Sequence, residues 1–231
     1  MSLLISICAR AGSKGIKNKN TSKINKIPLI EYTFKQIKKL KFDSKVIISS
    51  DCLIIEKLTK KYKDFYFLKR PKYLSQDISA KIDVIKHLLN FAKKKFNQNY
   101  HTLIDLDPTS PLRSIADINN SYDFFRLNKN CDTVISGYLT NRNPYFNLVT
   151  KDQNGRISVC IKSKKIYTSR QESPEVFALN SSIYIYDIKK LLLRKKIISK
   201  NTLLYEMPHE RSLDIDSKFD LKVIRKLIEK K

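Results

Sequence analysis

Cys8-Ala-Arg-Ala-Gly-Ser-Lys-Gly-Ile-Lys-Asn-Lys-Asn20 follows directly on the apolar run Leu3-Leu-Ile-Ser-Ile7. A short apolar run that ends in a glycine-containing turn reads as a buried strand. The stretch is therefore a first strand delivering a loop that holds two glycines, one arginine and three lysines. Gly12 and Gly15 let backbone N–H groups come close to a ligand, and Arg10, Lys14, Lys17 and Lys19 supply the charge that a triphosphate attracts. The loop lacks the Gly-Lys-Ser/Thr ending of a P-loop, and it contains no G-x-G-x-x-G. A solvated basic turn in a lysine-rich chain is the other reading. Its position right after a first strand of parallel type favours a ligand.

Outward from this loop, apolar periodicity alternates between strand and helix. Pro28 opens an amphipathic segment with Ile30, Phe34, Ile37 and Leu40 at helical spacing. Residues 46–49 read as a strand, 54–62 as a helix, and 65–68 as a strand ending at Lys69-Arg70-Pro71. Ile82, Ile85, Leu88, Leu89, Ala92 and Phe96 mark a longer helix. Residues 101–106 read as the central strand, 115–127 as a helix and 133–137 as a strand. Such alternation predicts an α/β fold of Rossmann-like type, a mostly parallel sheet flanked by helices, with ligands at the carboxyl ends of the strands.

Over residues 138–170 the alternation stops. Two short strand-like runs, 146–150 and 156–161, are joined by an Asn154-Gly155 turn, which signals a small β-hairpin excursion. The chain returns through Arg170-Gln-Glu-Ser-Pro-Glu-Val-Phe-Ala-Leu-Asn180 to a strand at 183–186. A short helix, a strand at 203–206, the segment Ser212-Leu-Asp-Ile-Asp-Ser217 and a closing helix complete a single domain, 1–231. Ile157, Val159 and Ile161 alternate along the excursion, and an isolated two-stranded unit does not bury such a face alone. Either a second copy of the chain or the chain's own main sheet has to cover it.

With 231 residues, 42% of them hydrophobic, the chain has ample material for a core. A net charge of +24 attracts polyanions whatever the biological partner. The lysines are scattered, however, and no helix-turn-helix, zinc-finger or RNP pattern accompanies them, so no specific nucleic acid is expected. Cys8, Cys52, Cys131 and Cys160 contain no C-x-x-C, and three of them lie in or beside apolar runs, as reduced cysteines do. No apolar stretch approaches the length of a membrane span. These features together predict a cytoplasmic protein with no membrane partner.

Two acidic pairs carry candidate chemistry. Asp214 and Asp216 are two apart, so an extended segment places both carboxylates on one face. Mg²⁺ commonly takes one or two carboxylates and completes its shell with phosphate oxygens and water. A helix-capping role for Asp216 is the alternative. Asp105 and Asp107, in Asp105-Leu-Asp-Pro-Thr-Ser-Pro-Leu-Arg113, form a second pair at the end of the central strand. His87, His101 and His209 have no zinc spacing.

The basic loop, the Asp-Pro-Thr-Ser-Pro-Leu-Arg113 run, Arg170-Gln171 with Asn180, and Asp-Ile-Asp216 occur in the order found in the CMP-sialic acid synthetases, or acylneuraminate cytidylyltransferases. The chain resembles that family over nearly its whole length. The resemblance implies CTP and a nonulosonic acid as substrates, CMP-sugar and pyrophosphate as products, Mg²⁺ as cofactor and a homodimer built through the excursion. It implies nucleotide contacts for Arg10, Gly12, Ser13, Lys14, Lys19, Asn20, Arg70 and Asp107. Sugar contacts are implied for Asp107, Ser110, Arg170, Gln171 and Asn180, and the metal pair is Asp214 and Asp216. Arg10, Lys19, Asp214 and Asp216 are the implied catalytic group. A carboxylate, Asp216 first, or a metal-bound water is the candidate acceptor of the hydroxyl proton.

The family often has Leu-Gln-Pro where this chain has Leu106-Asp107-Pro, and Asn-Gly where it has Asn180-Ser181. Those changes resemble the branch acting on legionaminic or pseudaminic acid. Two other functions fit parts of the pattern. A GT-A-type glycosyltransferase also combines a nucleotide fold with an Asp-x-Asp pair, and a basic nucleic-acid-binding module explains the charge but not the carboxylates.

Overall fold

The computed structural model describes residues 2–12 and 15–229, so Ser13 and Lys14 of the basic loop lie outside the described residues. The elements run β1 (Leu3–Ala9), β2 (Lys23–Ile24), β3 (Ile27–Pro28), α1 (Leu29–Lys38), β4 (Ser44–Ser50), α2 (Leu53–Thr59), β5 (Phe65–Lys69) and α3 (Lys81–Phe96). They continue with β6 (Thr102–Leu106), α4 (Ile115–Leu127), β7 (Thr133–Leu139), β8 (Val149–Lys151) and β9 (Ile157–Val159). β10 (Phe177–Asp187), α5 (Ile188–Leu192), β11 (Thr202–Glu206) and α6 (Lys218–Glu229) close the chain.

Seven strands form one sheet in the order β11-β7-β10-β6-β1-β4-β5. Every pairing is parallel except those of β10, which runs antiparallel to both β6 and β7. The expected mostly parallel sheet is present, with β6 at its centre. Period-two alternation sorts its side chains. Leu3, Ile5 and Ile7 of β1 face a core closed by α1, α2 and α4, while Leu4 faces one closed by α3 and α5. Burial on both faces explains why β1 reads as a continuous apolar run rather than as alternation.

The chain leaves β1 towards β4 and β5, then crosses back to β6 on the other side of β1. Such a reversal opens a crevice at the carboxyl ends of the two strands, because the loops leaving them turn opposite ways. A third, smaller apolar cluster closes one side of it. Ile16 and Ile24 pack there with Leu29, Leu112, Ile215, Leu221 and Ile224, which staples the basic loop and residues 212–217 to α6.

Two features depart from the sequence reading. β2 and β3 form a ribbon whose turn residues, Asn25 (φ 48°) and Lys26 (φ 66°), both take positive φ. A lysine stands where such a turn usually carries glycine, which hides the hairpin signal. β10 begins at Phe177, six positions before the expected 183, because the register slips between Leu179 and Tyr184, with Ser181 at φ 51°. The bulge breaks the alternation that would have exposed the strand's first half.

The excursion forms its hairpin, but with shorter strands than the sequence suggests. Asp152 accepts hydrogen bonds from the backbones of Asn154 and Arg156, and Gly155 takes φ 81° in the turn. Its apolar face is not covered by the main sheet: Ile157 is 68% exposed, Val149 48% and Ile161 43%.

Candidate active site

At the carboxyl ends of the central strands lies a cavity of about 480 Å³, bordered by Arg10, Lys19, Arg70, Asp107, Asp214 and Asp216 among others. A larger hollow of about 830 Å³, at the opposite end of β6 beside Thr102, Tyr122 and Phe125, gathers none of the charged residues singled out above. Chemistry rather than volume selects the first.

One wall is the basic loop. Arg10 leaves β1 and its guanidinium meets the Asp77 carboxylate. The Ala11 N–H donates to Asp51 Oδ1 at 2.7 Å, fixing the loop's first turn. Lys19 Nζ donates to the Ile215 carbonyl at 2.6 Å and lies 3.0 Å from Asp216 Oδ1. Asn20 Nδ2 donates to the Arg10 carbonyl at 3.1 Å, while its buried Oδ1 has no partner. A Cβ on Gly15 would sit 2.1 Å from the Asp216 carbonyl oxygen, so this position admits only glycine. Nothing lies within 4 Å of a Cβ on Gly12. The expected close approach therefore occurs at the second glycine and not at the first, because the loop meets residues 214–216 only after turning. Lys17 is exposed and is not among the residues lining the cavity.

Arg70, just after β5, donates from Nε and Nη2 to Ser49 Oγ (3.2 Å) and the Ser49 carbonyl (2.9 Å). Its partners among the described residues are neutral oxygens, so a buried positive charge faces the cavity without local neutralisation. An anionic ligand supplies what that charge lacks.

Carboxylates form the adjoining wall. Asp214 and Asp216 both reach the cavity from the extended segment before α6. Asp216 is not the cap of α6. Ser217 and Asp220 make that cap, with Asp220 accepting from the Ser217 backbone at 2.7 Å and the Ser217 hydroxyl accepting from the Asp220 N–H at 3.2 Å. Asp107 accepts from the Thr109 hydroxyl at 2.8 Å and from its N–H at 3.2 Å. Burial first, and the Asp107 charge second, push Asp214 up to about 6, with a hydrogen bond from Thr109 and the Lys19 charge opposing. Asp214 Oδ1 is buried with no hydrogen-bond partner. Among the described residues, that partner-free carboxylate oxygen is the one free acceptor of this kind that Asp214 offers to the cavity.

Asp105 lies beneath Asp107 and is buried. It accepts from Ser6 Oγ at 2.5 Å and faces Lys81 Nζ at 2.9 Å. Lys81 lines the cavity and was not among the residues read from the sequence, although a lysine opening a helix sits against the positive end of the helix dipole. That misplaced charge was the available signal.

The remaining sugar-side residues lie elsewhere. Ser110 is fully buried, with its hydroxyl 3.4 Å from the Asn180 carbonyl. Asn180 is also interior: its amide accepts from Ser136 Oγ at 2.6 Å and donates to Ser212 Oγ at 2.9 Å, tying the β10 bulge to β7 and to the approach to Asp214. Both brace the cavity's frame without lining it. Arg113 does likewise. Its buried guanidinium donates to the Ser182 carbonyl at 2.6 Å and to Gln36 Oε1 at 2.9 Å, and burial lowers it to about 10 against the pull of Asp107, Asp117 and Asp105. Arg170 and Gln171 border a separate hollow of about 280 Å³ on the excursion, where Arg170 meets Asn141.

A cavity that sets the buried charge of Arg70 and the basic loop beside clustered carboxylates, at the switch point of a mostly parallel sheet, suits a nucleotide. The family comparison agrees: the model described as Cytidylyltransferase matches residues 4–231. The chain belongs to the cytidylyltransferase family. It is 40% identical over 230 residues to post-translational flagellin modification protein B of Campylobacter coli, covering 99% of this chain and 96% of that one. It is also 40% identical over 227 residues to the CMP-N,N'-diacetyllegionaminic acid synthase of Campylobacter jejuni, covering 98% and 94%. The fold matches a CMP:2-keto-3-deoxy-manno-octonic acid synthetase solved with CTP, at TM-score 0.70 and 15% identity over 100% of this chain and 99% of that one. This cytidylyltransferase has no helix among its described residues long and apolar enough to cross a membrane.

Proposed function

We propose that this cytidylyltransferase activates a nonulosonic acid of the legionaminic type, joining CMP from CTP to the sugar and releasing pyrophosphate. The observation that carries the reading is the apposition of Lys19 and Arg10 to Asp107, Asp214 and Asp216 across one cavity. The 40% identity to a CMP-N,N'-diacetyllegionaminic acid synthase over nearly both full lengths supports the choice of sugar.

In the proposed reaction the anomeric hydroxyl oxygen of the sugar forms a bond to the α-phosphorus of CTP. The bond from that phosphorus to the β-phosphate bridge breaks, pyrophosphate leaves, and the hydroxyl proton passes to a carboxylate of the 214–216 segment. Lys19, Arg10 and the buried Arg70 hold phosphate charge, so most of the acceleration comes from positioning and electrostatics. The partner-free Oδ1 of Asp214, with Asp216, would hold Mg²⁺, which neutralises triphosphate charge when bound. No group of three metal-ligating side chains is assembled among the described residues, which suits a cation whose remaining ligands are phosphate oxygens and water.

The working enzyme in this reading is a homodimer. The bare Ile157, Ile161 and Val149 face of the excursion supports it, as does the placement of Arg170 in a hollow separate from the cavity that its charge would serve. Incubation with CTP, Mg²⁺ and N,N'-diacetyllegionaminic acid, followed by mass spectrometry and a pyrophosphate assay, tests the reaction. CMP-sugar and pyrophosphate in equal amounts are expected. Their absence, or release of a nucleoside diphosphate, contradicts the reading.

A further inference from the structure

Lys81 violates a local rule, and its surroundings explain why it is tolerated. It is the first residue of α3, where the unpaired N–H groups of the helix already carry positive charge, and a lysine there is unfavourable. Its side chain is only 24% exposed. Burial works against the charge, yet Asp105 first and Asp107 second hold the ammonium well above its ordinary range, so it stays a cation.

Three protein groups surround its ammonium. Nζ lies 2.9 Å from Asp105 Oδ2, 3.8 Å from Asp107 Oδ2, and 3.7 Å above the centre of the Tyr184 ring. Its nearest partner is the buried Asp105 carboxylate. What it does is hold a carboxylate. Asp107 is gripped on both oxygens, Oδ1 by Thr109 and Oδ2 by the charge of Lys81, and it faces the cavity in that pose. A carboxylate fixed this way can only accept hydrogen bonds, whereas a glutamine or asparagine in its place would offer both an acceptor and donors.

We infer that Lys81 is a positioning residue for the sugar half of the reaction: anchored on buried Asp105, it fixes Asp107 as an acceptor for a hydroxyl or acylamido N–H of the acid sugar. This rests on the reading of the cavity as a cytidylyltransferase site. Asp105 works as the anchor because β6 is the central strand and Ser6 of β1 holds its other oxygen. Tyr184 of β10 closes the pocket above the ammonium.

The test uses steady-state kinetics of the full chain with CTP, Mg²⁺ and N,N'-diacetyllegionaminic acid. Lys81→Met is expected to raise the KM for the sugar by about tenfold to a hundredfold, the loss that follows when a hydrogen bond to a charged group is misplaced. KM for CTP should rise much less than KM for the sugar, because the inference gives the fixed acceptor of Asp107 to the sugar. Lys81→Arg, which keeps the cation, should restore most of the sugar affinity. Asp107→Asn should raise the sugar KM as Lys81→Met does, and combining the two should add little, as expected when one residue acts through the other.

Removing Lys81 leaves Asp105 a buried carboxylate without its partner and can unfold the chain. The pair Lys81→Met with Asp105→Asn removes that charge as well, and it should fold and still show the raised sugar KM. Equal rises in both KM values, or effects of Lys81→Met and Asp107→Asn that simply add, would overturn the inference and leave Lys81 a scaffold residue. A wild-type chain that releases no pyrophosphate from CTP with this or any other nonulosonic acid would overturn the cytidylyltransferase reading, and this inference with it. The two failures are therefore told apart by wild-type activity alone.

Discussion

The cavity wall between the basic loop and residues 212–217 and the β-hairpin excursion differ in how far one chain completes them. In the first, Gly15 packs against the Asp216 carbonyl, Lys19 reaches Ile215 and Asp216, and Ile16, Ile24, Ile215 and Ile224 form an apolar patch behind them. In the second, two three-residue strands carry exposed Ile157 and Val149, and Arg170 faces a hollow of its own. In the proposed reading, the nucleotide half of the reaction belongs to a single chain and the sugar half depends on what covers the excursion.

The largest expected effects fall on the completed side. Lys19→Ala and Asp214→Asn should each lower kcat/KM for CTP by about a hundredfold or more, the scale found when a preorganised charge or donor at a reacting phosphate is lost. Both proteins should stay folded by circular dichroism. Wild-type kinetics in either variant would remove that residue from the site. Gly15→Ala should be nearly as severe, because its methyl group cannot coexist with the Asp216 carbonyl unless the two segments part. Gly12→Ala should be close to silent in the same assay, since that position is open.

Next in size is the excursion. Charged residues at Ile157 and Val159 should give a chain that sediments as a monomer, binds CTP normally and turns over sugar poorly. A dimer of unchanged mass after both substitutions would place the interface elsewhere.

Much of this contrast was legible in the sequence, and the illegible part has physical causes. β1 and the central β6 announce themselves as short apolar runs with clear ends, and α4 as a helix opening on a capping box of Ser114 and Asp117. Arg10, Arg70 and Asp107 follow the carboxyl ends of β1, β5 and β6, and the packing of the basic loop on residues 214–216 brings Lys19, Asn20, Asp214 and Asp216 to the same cavity. Lys81 was hidden because its meaning lies in a contact with Asp105 across the sheet, not in its neighbours along the chain. Ser110 and Asn180 read as ligands from their motifs, yet lie in the frame, because short polar side chains beside a bulge satisfy backbone groups left unpaired there. Arg170 sits on a segment whose position relative to the cavity no local pattern encodes.

A smaller effect separates strain from stability on the catalytic wall. Asp214 is raised from its ordinary 3.8 to about 6, so the folded state binds a proton that the unfolded chain has lost. This penalty is absent below about pH 4, grows as pH rises towards 6 and is complete above it, where it amounts to about 1–3 kcal/mol. In the absence of nucleotide and metal, Asp214→Asn should therefore melt higher than wild type at pH 7, and the two should converge at pH 4. A variant that melts lower at pH 7 would mean that the carboxylate is structurally satisfied. The smallest effect is expected in the β10 bulge, where Ser181 lines the cavity. Ser181 holds φ 51° where glycine is at ease, so Ser181→Gly should stabilise the chain by about 1 kcal/mol or less, read from a denaturant midpoint.

Calorimetric titration of CTP with Mg²⁺ tests most directly whether one chain completes the nucleotide half alone. The account predicts that the wild type and the variant with charged residues at 157 and 159 bind CTP with dissociation constants within about twofold of each other, while Lys19→Ala weakens binding by about tenfold or more. Loss of CTP binding in the excursion variant, or wild-type affinity in Lys19→Ala, would contradict it.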